Sequence, residues 1–121
     1  MPVFEIHGLA DEAYPFGGGT ATCSSNPTDF RSISETIMGW GQRNDCASTS
    51  HVTRHMGDVT CRAYDGCPAG GDVELCLIEG GKHDWPDGTS LGGPCSGIPT
   101  TDLAANDAIW DFFSAHSLPE H

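Results

Sequence analysis

Positive charge is the scarcest thing in this sequence. Five Lys and Arg, a single lysine among them, stand against 17 Asp and Glu, for a formal net charge of -12 over 121 residues. Such a surface repels phosphate, which excludes nucleic acid and anionic membranes as partners and leaves neutral or apolar substrates. Long apolar runs are missing as well, so no membrane span is expected. So is the basic-then-apolar opening of an export signal: Met1-Pro2-Val3 leads straight into the first strand, and a signal is expected only in a longer precursor. No C-x-x-C pair occurs, which argues against a zinc ribbon or finger, and neither a metal nor another cofactor is expected. The hydrophobic share, 37%, is low for a globular chain, and 16 Gly with 8 Pro imply much loop. One domain, residues 1–121, fits this length.

What the chain does have is cysteine. Six in so short and loop-rich a sequence read as three disulfides in an oxidising, extracellular compartment. Val59–Tyr64 and Val73–Ile78 alternate as strands. Paired as a hairpin with Tyr64 opposite Val73, they place Cys61 opposite Cys76, which is the first expected bridge. Cys46 and Cys67, each just outside a regular element, make the second. Cys23 and Cys95 lie in the two loops that follow Asp11 and His83, and make the third.

Val73–Pro86, VELCLIEGGKHDWP, organises the rest. An apolar strand breaks at Gly80-Gly81 and delivers His83, a proton-exchanging group at a sheet end, followed by Trp85-Pro86. Val3–Gly8 repeats the form: an apolar strand ends in a small turn and delivers Asp11. A Gly-rich loop from Asp11 to Asn26 holds Tyr14-Pro15-Phe16. Asp29 or Ser32 caps a helix through about Arg43 with Ile33, Ile37, Met38 and Trp40 as its apolar stripe. Asn44–Asp58 reads as a polar loop and Asp84–Pro99 as another. Thr101 or Asp102 caps a last helix burying Leu103, Ala104, Ala108, Ile109, Phe112 and Phe113. The expected fold class is α/β, with about three strands and two helices.

Several residues compete for a chemical role. Asp11 reads equally as a turn aspartate bonding its own backbone. Gly88-Thr89-Ser90-Leu91-Gly92 matches G-x-S-x-G, which makes Ser90 a candidate nucleophile. A working elbow needs a strand before it and a helix after it, and neither pattern is present. His51-x-x-x-His55 has the spacing of a metal pair on a helix, but the intervening residues do not read as helix and no third ligand is near. Asp58, Asp84 and Asp87 read as solvated acids.

Taken in order, His7-Gly8-x-x-Asp11, Pro15-Phe16-Gly17-Gly18, Trp40, Asn44-x-Cys46, Tyr64-x-x-Cys67, Val73-Glu74-Leu75, Glu79-Gly80-Gly81-Lys82-His83-x-Trp85-Pro86 and Ile109-Trp110-x-Phe112-Phe113 form one extended pattern. It resembles the C-terminal half of secreted α/β-hydrolase esterases of the polyhydroxybutyrate depolymerase, feruloyl esterase and acetylxylan esterase group. The resemblance implies a partial α/β-hydrolase fold and carboxylic ester hydrolysis. In it Asp11 is the triad acid and His83 the triad base, while Trp85, Tyr14 and Phe16 wall the acyl pocket. In such enzymes the serine precedes the acid along the chain, so the nucleophile elbow and the sheet's central strands belong upstream of Met1. Lys82 stands where that group has a third glycine.

Two function classes follow. One is an ester hydrolase acting on a polyester or a plant cell-wall ester. The other is a non-catalytic secreted remnant that binds a polymer or glycan through Tyr14, Phe16, Trp40 and Trp85. In either case half a sheet leaves an apolar face or edge that a second copy or a missing N-terminal half is expected to cover.

Overall fold

The computed structural model describes residues 1–116; the last five residues of the expected domain lie outside it. Along the chain come β1 (Val3–Gly8), α1 (Ile33–Arg43), β2 (Ser50–Met56), β3 (Val59–Tyr64), β4 (Val73–Ile78) and α2 (Ala105–Ser114). The four strands form one mixed sheet in the order β1-β4-β3-β2. β1 runs parallel to β4, while β3 lies antiparallel to both β4 and β2. Among the described residues no helix is long and apolar enough to cross a membrane.

Alternation along the strands divides the core. Val73 and Leu75 pack with Ile33 and Ile37 of α1, whereas Cys76 and Ile78 pack with Leu103 and with Ala108 of α2. Odd and even positions of one strand point to opposite faces, so the two helices cover opposite sides of the sheet. β1 follows the same rule, with Val3 on the α1 side and Phe4 and Ile6 on the α2 side. α1 begins where Ser32 accepts the Glu35 amide at 3.2 Å, the first half of an S-x-x-E box.

The hairpin register puts Cys61 opposite Cys76. Disulfides join Cys61–Cys76, Cys46–Cys67 and Cys23–Cys95, and no cysteine is free. These are the three pairs argued above, and they fit an oxidising compartment.

Three expectations need correction. The sheet has four strands rather than three, because Ser50–Met56 lies inside the expected polar loop and is β2. Every residue of β2 is exposed, so it pairs through its backbone and carries no apolar alternation to read. His51 and His55 lie on this strand, as the weak helix signal between them allowed, and their Nδ1 atoms engage Asp65 Oδ1 at 2.6 Å and Thr60 Oγ1 at 2.9 Å. Finally, neither Thr101 nor Asp102 caps α2. The cap position is Ala104, which offers no side-chain bond. Asp102 instead accepts the Asp58 amide at 3.0 Å. Of the predicted buried faces, Leu103 and Ala104 precede α2, and Met38 of α1 and Phe113 of α2 are exposed.

Candidate functional site

Parallel neighbours end on the same side. Because Gly8 of β1 stands beside Ile78 of β4, the segments leaving the two strands start next to each other. Two backbone bonds fasten them, Leu9 N–H to the Ile78 carbonyl and Ala10 N–H to the Gly81 carbonyl, both 2.9 Å. Gly8 is required here: a Cβ on it would sit 2.2 Å from the Gly81 oxygen. Farther out, Cys23–Cys95 joins the two loops, and the His83 amide donates to the Cys95 carbonyl at 3.1 Å. Lys82 is engaged across the gap with Glu12 at 3.4 Å.

These ties bring Asp11 and His83, 72 residues apart, to 2.9 Å between Asp11 Oδ2 and His83 Nδ1. Asp11 is buried, and its other oxygen accepts the Ala13 and Tyr14 amides, both at 2.8 Å. The turn aspartate and the histidine partner are therefore one residue, with one oxygen for each task. A carboxylate at Nδ1 fixes a neutral imidazole with its proton on that nitrogen and its lone pair on Nε2. The His83 side chain is 59% exposed, so the ring is open to solvent.

Asp11 also has a second neighbour. His7 Nε2 lies 3.7 Å from the same Oδ2. It donates to the Tyr14 carbonyl at 2.8 Å, while Nδ1 faces Glu5 Oε1 at 3.3 Å. Burial by itself would lower the pKa of His7. The Glu5 and Tyr14 hydrogen bonds and the charges of Asp11 and Glu5 outweigh burial and raise it above the ordinary imidazole value. The sequence holds a signal for this contact, a histidine four residues before the aspartate at a strand end, but a pair of that kind is common and says nothing of burial.

The remaining candidates are placed less centrally. Ser90 is exposed on an irregular loop, donating to the Gly97 carbonyl at 2.9 Å and accepting from the Gly92 amide at 3.3 Å. Neither strand nor helix flanks it. Among the described residues no serine or threonine hydroxyl is hydrogen-bonded to His83. Tyr14 stacks on Phe30 at 4.1 Å between centroids, and both Tyr14 and Phe16 pack against the Ile33–Ile37–Val73 cluster. Trp85 is half-exposed and donates to Asn106 Oδ1 at 3.0 Å. It lines an open groove of ≈ 200 Å³ with Pro86, Asp87 and Gly88 against the start of α2. Asp84, read as solvated, is half-buried and accepts the Gly97 amide at 2.7 Å. Cys61, Glu74 and Cys76 converge within 4.8 Å, but both sulfurs are committed to a disulfide and neither can ligate a metal.

Comparison with known proteins gives one direction. The chain is 26% identical over 120 residues to feruloyl esterase B of Piromyces equi, a match that takes in 98% of this chain. It spans 19% of that esterase's length. No protein-family model and no solved structure matches. The relationship is a distant one to an esterase, carried by a small α/β domain with three disulfides.

Proposed function

We propose that this chain supplies the acid and base of a Ser-His-Asp carboxylic ester hydrolase, and that its sheet is the C-terminal part of an α/β-hydrolase. The single observation that carries the reading is the 2.9 Å bond from His83 Nδ1 to a buried, doubly anchored Asp11. In the reaction His83 Nε2 takes the serine hydroxyl proton as the oxygen attacks the ester carbonyl. The imidazolium, stabilised by Asp11, then returns that proton to the departing alcohol. The acyl-serine is cleared by water through the same base. The relative named as a feruloyl esterase supports a plant cell-wall ester as substrate; a polyester is the alternative within the same chemistry. Trp85 and the exposed surfaces of Tyr14 and Phe16 line the approach, and the enzyme works outside the cell, where its disulfides persist.

The serine comes from polypeptide beyond this chain, seated along β1. Val3 donates to Asp72 and Leu9 to Ile78, so the odd residues of β1 face β4 and the backbone groups of Phe4, Ile6 and Gly8 face away from it. A strand on that side continues the sheet and brings its own carboxyl end beside Asp11 and His83.

The test is hydrolysis of p-nitrophenyl and feruloyl esters by the chain alone and by the chain joined to the upstream half of an esterase. Activity in the joined form, abolished by His83→Ala and Asp11→Ala and untouched by Ser90→Ala, is the expected result. Activity that survives His83→Ala sinks the reading. The second reading, a binder without catalysis, draws on the Ser90 hydroxyl being spent on Gly97 and on the half-exposed Trp85 groove. Retention on insoluble xylan or polyester, lost in Trp85→Ala without any hydrolysis in either form, selects it.

A further inference from the structure

The Asp–His pair is supported by a group that the esterase mechanism leaves unused. Only 8% of His7 is exposed, and each of its ring nitrogens faces an acceptor: a carboxylate at Nδ1, and a backbone carbonyl with a second carboxylate behind it at Nε2. A neutral imidazole carries one proton and would turn a lone pair on one of these oxygens. Two protons serve both bonded acceptors and set a positive charge beside the Asp11 carboxylate, 3.7 Å from Nε2. The charged groups facing His7 are Glu5 from its own strand and Asp11 from the loop beyond. The Tyr14 ring lies edge-on at 5.3 Å between centroids, and the residue opposite on β4 is the apolar Leu77. The site therefore holds two carboxylates around one buried ring.

Tyr14 closes the arrangement. Its amide and that of Ala13 hold Asp11 Oδ1, while its carbonyl holds His7. The turn that aims Oδ2 at His83 is thus gripped at one end by β1 and at the other by the aspartate itself. We propose that His7 is a buried imidazolium that positions the triad acid, pinning the 11–14 turn through the Tyr14 carbonyl and setting a positive charge beside the carboxylate that is aimed at His83. It acts through Asp11 and touches no substrate. Four groups then stand in a row, Glu5, His7, Asp11 and His83, with charges alternating along it whenever His83 is protonated. Its role for catalysis rests on the triad reading above; the arrangement itself does not.

The test therefore reads protons, not ester. Long-range nitrogen–proton correlation spectra of the histidine rings, from about pH 5 to about pH 8, report how many protons each ring carries and on which nitrogen. In the wild type, His7 is expected to hold two protons at the acid end, and neutral His83 to hold its proton on Nδ1. His7→Gln keeps a donor for Tyr14 and loses the charge; His7→Leu loses both. The ratio of Nδ1–H to Nε2–H tautomers at His83 should fall several-fold in His7→Leu and by less in His7→Gln, with the amide signals of the β1–β4 ladder in place. A singly protonated His7 at the acid end, or a His83 ratio that neither variant moves, overturns the proposal. Should His7→Leu lose the ladder, His7→Gln decides by the same ratio. Ester hydrolysis by the same variants in the form joined to the upstream half of an esterase keeps the two ideas apart. Moved tautomers without hydrolysis uphold the positioning role and sink the esterase reading; hydrolysis with unmoved tautomers does the reverse.

Discussion

The sheet ends in two strands built on opposite plans. All of β2 is exposed: Ser50, His51, Thr53, Arg54 and His55 face water, and a register shift between Val52 and Arg54 breaks its ladder. Charge and irregularity of this kind keep other strands from adding on. β1, at the other end, has no exposed residue, and elements pack on both of its faces. Its outer edge at Phe4 and Ile6 pairs with no strand among the described residues, while the Gly8 carbonyl accepts the Asp11 amide at 3.3 Å. A strand covered on both faces has the burial of a sheet's interior, although Glu5 and His7 interrupt its apolar run. The exposed Trp110 and Phe113 of α2, which packs on β1, extend the apolar surface on that side. One edge is solvated and irregular, and the other is covered on both faces and regular.

Perturbations should respect this contrast. The largest effect is expected from opening the disulfide that links the loops at the β1 end. Cys23→Ser with Cys95→Ser removes a constraint spanning 72 residues and should cost about 4 kcal/mol in denaturant unfolding by the chain-entropy argument. A loss under about 1 kcal/mol would mean the backbone bonds between the loops suffice without it. Next comes Gly8→Ala, whose methyl would strike the Gly81 oxygen. It should destabilise by about 2–3 kcal/mol and break the Asp11–His83 bond, seen as a changed His83 ring spectrum. A smaller effect follows from pH. The raised pKa of His7 means its contribution to stability is complete below the ordinary imidazole value of 6.5 and is lost as pH rises through the folded value. His116, raised by its bonds to Asp72 and the Phe112 carbonyl, acts with the same sign. Unfolding should therefore become easier as pH rises from that value. His7→Gln should flatten much of the slope. Last, Val52→Thr on β2 should shift stability by less than about 0.5 kcal/mol, since that side chain is already in water. A larger loss would show that the solvated edge is not independent of its side chains.

How much of this the sequence revealed follows the same divide. β1, β4, α1 and the hairpin register carry apolar alternation, a Ser-Glu cap and two cysteines that must face each other, so each could be read directly. β2 could not, because backbone pairing at a solvated edge leaves no side-chain pattern. The start of α2 was misplaced because Asp102 looks like a cap and is spent on the Asp58 amide instead. Asp11 and His83 could be paired on paper because both follow strand-and-glycine units. His7 stood in the pattern without a role of its own, because that role lies in Glu5, Asp11 and Tyr14 converging on a buried ring, and convergence is a property of the fold alone.

The Cys23–Cys95 bridge has one more consequence, for proteolysis. Ser24, Ser25 and Leu91 are exposed on irregular segments between the two cysteines, where proteases cut. A cut at Ser24 or Ser25 leaves the piece bearing Asp11 covalently attached to the piece bearing His83, and a cut at Leu91 leaves both residues on one piece with the C-terminal piece held by the same bridge. Such a nicked molecule would run as two bands only after reduction, and until then Asp11 and His83 would remain tethered.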